Sequence, residues 1–210
     1  MLISLSIVLS YLIGSLPFAY LFFKIFRKQN ITREGSGNVG AMNSYQVTGK
    51  KWIGILVFIL DCLKGFFAIW LIKTISSSDF WSIFYASIFV ILGHNYSIFL
   101  KFKGGRGLAT AVGVSLATSP LILIVWAGLW IIGYYTIKRD IHTGNISATI
   151  MTAPVFFVLP DTFIGDTMFF YPPSIFLVRI LVTSMCLVIF LKHLQPLKEL
   201  MSKENNSEDD

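Results

Sequence analysis

Apolar runs separated by short polar clusters recur along almost the whole chain. Runs of about twenty residues can cross a hydrocarbon core of about 30 Å. Backbone amides find no water there, so each run predicts a helix. The pattern gives seven spans. The first covers residues 2–26, with Pro17 as a kink and Gly14-Ser15 as a spot where small residues let a neighbouring helix approach. The second covers 52–72 and the third 80 to about 93. The apolar stretch 108–137 exceeds one untilted span, and Ser119-Pro120 splits it into a short fourth span and a fifth. The sixth covers 147–159 and the seventh 174–191, separated by an acidic, proline-bearing loop at 160–173. No internal repeat is visible, and five spans would result if the short pieces do not cross.

Composition agrees with this pattern. The chain is 55 % hydrophobic and only 13 % charged, with a mean hydropathy of +0.72. Soluble domains average roughly a quarter charged, so an ordinary cytosolic protein is excluded. The net charge of +6 matters less than its location. Fourteen of the 17 Lys and Arg fall in the first, third and fifth loops and the C-terminal segment, leaving Lys64, Lys73 and Arg179. Cytoplasmic loops retain basic residues, so the expectation is an all-α integral membrane protein, a seven-transmembrane-helix bundle with its N-terminus outside and its C-terminus cytoplasmic. Residues 1–201 read as a single multi-span membrane domain and 202–210 as a polar, disordered tail. No charge precedes Lys24, so the basic region of a cleaved signal is missing and the first segment stays as a span. Cys62 and Cys186 lie in separate apolar runs and suggest neither a disulfide framework nor a metal site. No metal, cofactor or nucleic acid is expected.

The loops on the basic face carry the candidate chemistry. Loop one contains Gly35-Ser36-Gly37-Asn38-Val39-Gly40-Ala41-Met42-Asn43, whose glycines let backbone amides turn toward an anion while Ser36, Asn38 and Asn43 add side-chain donors. It is not a Walker loop, and it follows no strand. Loop three runs from Gly93-His94-Asn95 through Lys101 and Lys103 to Gly104-Gly105-Arg106-Gly107 and feeds into a helix near Leu108. A helix N-terminus, bare glycine amides and three cations meet there. Lys101 and Lys103 also suit anchoring to headgroups, but an arginine between glycines can grip a phosphate bidentately. Asp61 and Lys64 share one helix face and read as a self-paired bridge or as functional intramembrane charge. A fifth loop with Lys138, Arg139, Asp140, His142 and Thr143 can close the same basin.

Together, GSGNVGAMN and GHNYSIFLKFKGGRGLAT resemble the first two motifs of the PlsY family, acyl-phosphate:glycerol-3-phosphate acyltransferases of bacterial membranes. The resemblance extends to the GSLP turn of span one, Asp61-x-x-Lys64-Gly65, and His193 after the last span. It implies a seven-helix bundle in the bacterial cytoplasmic membrane. The implied reaction transfers a fatty acyl group from acyl-phosphate to the position-1 hydroxyl of glycerol 3-phosphate, giving lysophosphatidic acid and phosphate. Ser36, Asn38, Asn43 and His193 are then the catalytic candidates. Gly35, Gly37, Gly40, His94, Lys101, Lys103, Gly104, Gly105, Arg106, Gly107 and Thr143 are candidates for holding substrate.

The chain departs from the family pattern in three places. Gln46 stands where an Arg is usual, Arg106 where a Lys is usual, and Gln195-Pro196 follows His193-Leu194 where the motif ends in Asn. A second reading is therefore a non-catalytic paralogue or transporter that binds a phosphorylated lipid or anion. Transfer from a CDP-lipid needs several Asp on one helix, and acyltransferases of the His-x-x-x-x-Asp type need that pair; neither pattern is present.

Overall fold

In the computed structural model, which describes residues 1–198, the chain is helical apart from its loops and one isolated antiparallel bridge between Ser97 and Lys103. The helices are α1 (Leu2–Ser15), α2 (Phe18–Phe22), α3 (Ala41–Thr48), α4 (Lys51–Ile75), α5 (Phe80–Asn95), α6 (Leu108–Thr118), α7 (Pro120–Thr136), α8 (Ile141–Val158), α9 (Asp161–Gly165) and α10 (Ile175–Leu191). The expected tail at 202–210 lies outside the described residues.

Several boundaries differ from the sequence reading for local reasons. Pro17 ends α1 rather than bending it, because it supplies no amide to continue the ladder, and the chain re-enters a helix at Phe18. The sixth helix starts at Ile141 instead of 147, because the Asp140 carboxylate accepts from the Thr143 amide at 2.8 Å and caps it. Loop one contains α3, and the 160–173 loop contains α9. The break at Ser119 falls where expected, with Pro120 opening α7.

Two segments, Leu2–Arg27 and Lys51–Ile75, are long and apolar enough to cross a membrane on their own, while α5, α6, α7 and α10 are apolar but shorter. At 1.5 Å per residue, the 11-residue α6 covers about half of a hydrocarbon core. Large side chains such as Trp52, Leu63, Trp70, Ile124, Ile132 and Leu187 point outward from these helices. Water would penalise so much exposed apolar surface, and lipid would not.

The helices approach closely where the sequence is small. A methyl group at Gly14 would collide with the Val90 carbonyl, and one at Gly93 with the Tyr11 carbonyl, so α1 and α5 lie nearly backbone to backbone. Gly65 against Thr110 and Gly113 against Cys62 do the same for α4 and α6. The main core, including Ile83, Val90, Ile91, Val114, Leu181 and Met185, is centred on α5. A second cluster of Ala19, Phe23, Ile31, Val39, Ile53 and Val57 pins loop one to α4. At the far end Arg179 donates to the Phe156 and Leu159 carbonyls and to Asp161 at 2.7 Å, closing the C-terminus of α8.

Candidate active site

Loop one is shaped by Asn43. Its Oδ1 accepts from the Ser36 amide at 3.0 Å, and its Nδ2 donates to the carbonyls of Glu34 (3.1 Å) and Asn38 (2.9 Å). The side chain is buried, so it serves as the loop's internal clasp and leaves Ser36 exposed at the apex. Gly35 has a φ of +56° and lies so close to Asn43 Oδ1 that a side chain there would displace the clasp.

Loop three is built on the end of α5. The Gly105 amide donates to the His94 carbonyl at 3.0 Å, and a Cβ on Gly104 or Gly105 would strike the His94 and Asn95 carbonyls or the His94 ring. Gly107, at a φ of +86°, packs on Asn95 Oδ1 and turns the chain into α6. Asn95 Nδ2 donates to the Val188 carbonyl at 3.0 Å and so ties the loop's base to α10. The two loops touch where the Val39 amide donates to the Gly104 carbonyl at 3.4 Å.

Two clefts result. One, of about 340 Å³, is lined by Ser36, Gly37, Asn38, Phe102, Lys103, Gly104, Gly105, Arg106, Lys192, Gln195 and Pro196. It presents three cations and no carboxylate among its lining residues. The other, also of about 340 Å³, has a polar end of Asn38, Gly40, Asp61, His94, Arg106 and Gly107, and apolar walls that include Phe58, Leu108, Val112, Trp126 and Trp130. Asn38 and Arg106 line both. A narrow apolar void of about 40 Å³ shares Leu108, Val112 and Trp126 and continues to Met185, Cys186 and Ile189. A cationic polar basin therefore adjoins an apolar slot, and the same two side chains stand at the junction.

Arg106 is oriented from the side: its Nη1 lies 3.1 Å from Nδ1 of His142 on the first turn of α8. A guanidinium only donates, so Nδ1 is the bare, accepting nitrogen. Below the second cleft, Asp61 Oδ1 is 2.8 Å from Lys64 Nζ and 3.5 Å from His94 Nδ1. The pair is thus a shared bridge that also seats His94 under Gly105.

Most of the candidate residues from the two long motifs converge, and five do not reach the cleft walls. Lys101 is exposed in a left-handed turn. Thr143 is engaged by the Asp140 cap, Gly35 sits inside loop one, and Asn43 spends its polar atoms on backbone. His193 is fully buried; its Nδ1 donates to the Ile189 carbonyl at 2.9 Å, and its Nε2 has no partner among the described residues. Burial pushes its pKa down to about 4, opposed by the Ile189 hydrogen bond and assisted by the nearby Arg106 and His142. Lys192 and the two tryptophans were not anticipated in the site, whereas His142, Asn95 and Gln195 stood in the fifth loop and the motifs without an assigned role. For Lys192 the signal was its place beside His193, hidden because it also fits an orientation-setting charge.

A family model described as glycerol-3-phosphate acyltransferase matches residues 4–203. Among relatives, the glycerol-3-phosphate acyltransferase of Dechloromonas aromatica is 34 % identical over 206 residues, 98 % of this chain and 96 % of that one. The enzyme of that name from Wolbachia sp. subsp. Brugia malayi is 30 % identical over 194 residues, 92 % of each chain. Two crystal structures of PlsY, an integral membrane glycerol 3-phosphate acyltransferase, superpose on this fold. The glycerol 3-phosphate form gives a TM-score of 0.78 at 31 % identity, and the lysophosphatidic acid form 0.75 at 30 %, each covering 95 % of this chain and 92 % of the other. With near-complete coverage in sequence and in fold, and with both glycine-rich loops folded around one cationic basin, the chain belongs to the glycerol-3-phosphate acyltransferase family.

Proposed function

We propose that this protein transfers a fatty acyl group from an acyl-phosphate to the position-1 hydroxyl of glycerol 3-phosphate, releasing phosphate and lysophosphatidic acid. The observation that carries this reading is the shared lining of Asn38 and Arg106 between a cationic basin and an apolar slot. Both substrates bear phosphate and one bears a chain that belongs in lipid, so the reacting carbonyl falls at the junction. The hydroxyl oxygen of the acceptor forms the new ester bond to the acyl carbon, the acyl carbon–phosphate oxygen bond breaks, and the electron pair leaves with phosphate. The hydroxyl proton ends on a phosphate oxygen or in water.

A mixed anhydride is already activated, so positioning and charge stabilisation supply most of the rate. Arg106, Lys103 and the bare amides of Gly104 and Gly105 hold phosphate. Ser36 and Asn38 orient the acceptor hydroxyl and the acyl carbonyl. Asn43 and His94 act by shaping the two loops, and His193 by filling the base of the cleft.

The membrane placement belongs to the same proposal. Seven helices (α1 with α2, α4, α5, α6, α7, α8 and α10) cross or enter a bacterial cytoplasmic membrane, with the N-terminus outside and the glycine-rich loops on the basic, cytoplasmic face. The short α6 and α7 are joined at Ser119 within the bundle, where the Ser119 hydroxyl meets Thr167 Oγ1 at 3.0 Å.

The test is phosphate release by the purified protein in detergent, given palmitoyl phosphate with and without glycerol 3-phosphate. Release that depends on glycerol 3-phosphate supports the acyltransferase. A folded protein with no such dependence returns the reading to a phosphate-binding paralogue.

A further inference from the structure

The cationic cleft contains a lysine that neither glycine-rich loop supplies. Lys192 follows the last residue of α10, and its Nζ stands 4.0 Å from the centroid of the Tyr96 ring. Tyr96 is itself fixed: its amide donates to the Leu92 carbonyl at 2.8 Å, and its carbonyl accepts from the Tyr11 hydroxyl at 2.7 Å. The backbone that carries the ring is therefore anchored, and the ring face meets the ammonium at the cleft wall.

Three other lysines lie near aromatic rings, and the contrast with them is informative. Lys24 lies over Tyr20 but is exposed on the surface, away from either cleft. Lys64 lies over Phe18 but is neutralised by Asp61 and donates to the Leu16 carbonyl. Lys73 lies over Phe169 and donates to that residue's carbonyl. Lys192 is half-buried on the wall it shares with Ser36, Gly104 and Arg106, and among the described residues its Nζ has neither a hydrogen-bond acceptor nor a carboxylate within ion-pair distance. Burial lowers its pKa from the ordinary lysine value. A half-desolvated ammonium whose donors meet no acceptor among the described residues is costly when the cleft is empty, and an entering phosphate removes that cost. Gln46, where the family pattern calls for a cation, is exposed on α3 and lines neither cleft.

We propose that Lys192, aimed by the Tyr96 ring, is a ligand of a substrate phosphate in the cationic cleft. It supplies from α10 a positive charge that α3 lacks. The inference rests on the proposed acyltransferase reading, and the shared chemistry is a phosphate dianion, carried by glycerol 3-phosphate or by the acyl donor.

Steady-state kinetics with palmitoyl phosphate and glycerol 3-phosphate test it, varying each substrate in turn. In Lys192→Met, KM for one substrate rises about tenfold or more while kcat changes less than about threefold, as expected for a lost charge-assisted contact. A rise for glycerol 3-phosphate assigns the acceptor's phosphate, and a rise for palmitoyl phosphate the donor's. Lys192→Arg recovers part of the loss. Tyr96→Leu, which frees the lysine without removing it, shifts the same KM by a smaller factor. Both KM values within twofold of wild type in Lys192→Met overturn the proposal. If the wild type itself shows no turnover, the function fails independently, and calorimetric binding of glycerol 3-phosphate and of inorganic phosphate decides the site. Weaker binding in the variant upholds it, and equal binding overturns it. Lys192→Gln replaces Lys192→Met in every arm if the methionine variant does not elute as a folded species.

Discussion

The Lys64 ammonium donates to the Leu16 carbonyl across 2.9 Å. That carbonyl stands outside the helical ladder because Leu16, the residue before a proline, is held in an extended conformation with ψ of 115°, so the helix break and the buried lysine are two halves of one device. The same ammonium lies 2.8 Å from Asp61, whose carboxylate also faces His94, and His94 seats Gly105. A chain of contacts thus runs from a proline in the first apolar segment to the glycine-rich loop that lines the cationic cleft.

Removing one end of this chain should be costly. Lys64→Met leaves Asp61 as a buried, uncompensated charge and is expected to destabilise the fold by about 3–5 kcal/mol, whereas the double variant Asp61→Asn with Lys64→Met recovers much of that loss. Thermal unfolding in detergent measures both. Equal losses in the single and double variants would show that the pair is not energetically coupled.

Gly105→Ala places a methyl group against the His94 imidazole with no room to yield, because that ring is held by Asp61. The loop must move away from the cleft wall. We expect at least a tenfold fall in kcat/KM with helical content unchanged by circular dichroism. Near-normal kinetics would place phosphate elsewhere.

Arg106→Ala and Ser36→Ala are each expected to reduce turnover by about a hundredfold or more without loss of folded protein, as removal of a donor at the reacting centre does. Arg106→Lys keeps charge but replaces the planar fork that reaches His142 with a point charge, and should retain intermediate activity. Wild-type rates in both alanine variants would sink the site assignment.

Stability should depend on pH through His193. Its pKa in the fold is about 4 against an ordinary 6.5, so the fold disfavours the proton. As pH falls through about 6.5 the unfolded chain binds a proton that the folded chain refuses until about 4, and the folded state loses up to about 3 kcal/mol across that window. The Tm of wild type should drop between about pH 7 and about pH 4.5, and His193→Gln should flatten part of that slope. An unchanged slope in the variant would indicate that other groups dominate.

The sequence by itself determined the helical, membrane-embedded class and nearly all of the helix positions. Long apolar runs with little charge have one structural solution in lipid, and Ser119-Pro120 marks its own break. It also singled out GSGNVGAMN and GGRG, whose residues line one cationic cleft in the fold, since clustered glycines beside cations are legible without coordinates. It did not determine where helices begin when a polar cap extends them, as Asp140 does for α8. Only the tertiary structure decided how those candidates divide the work. The contacts that Asn43 makes with the loop-one backbone and His94 with Asp61 are met only on folding. Lys101 and Thr143 lie in the right loops but off the walls, because loop position does not fix the direction of a side chain. Lys192 and His142 enter the site from α10 and α8, far away in sequence. Their placement depends on how α8 and α10 pack, α8 against α7 through Gly133 and Gly144 and α10 against the end of α5 through Asn95 and the Val188 carbonyl, and no local pattern encodes that meeting.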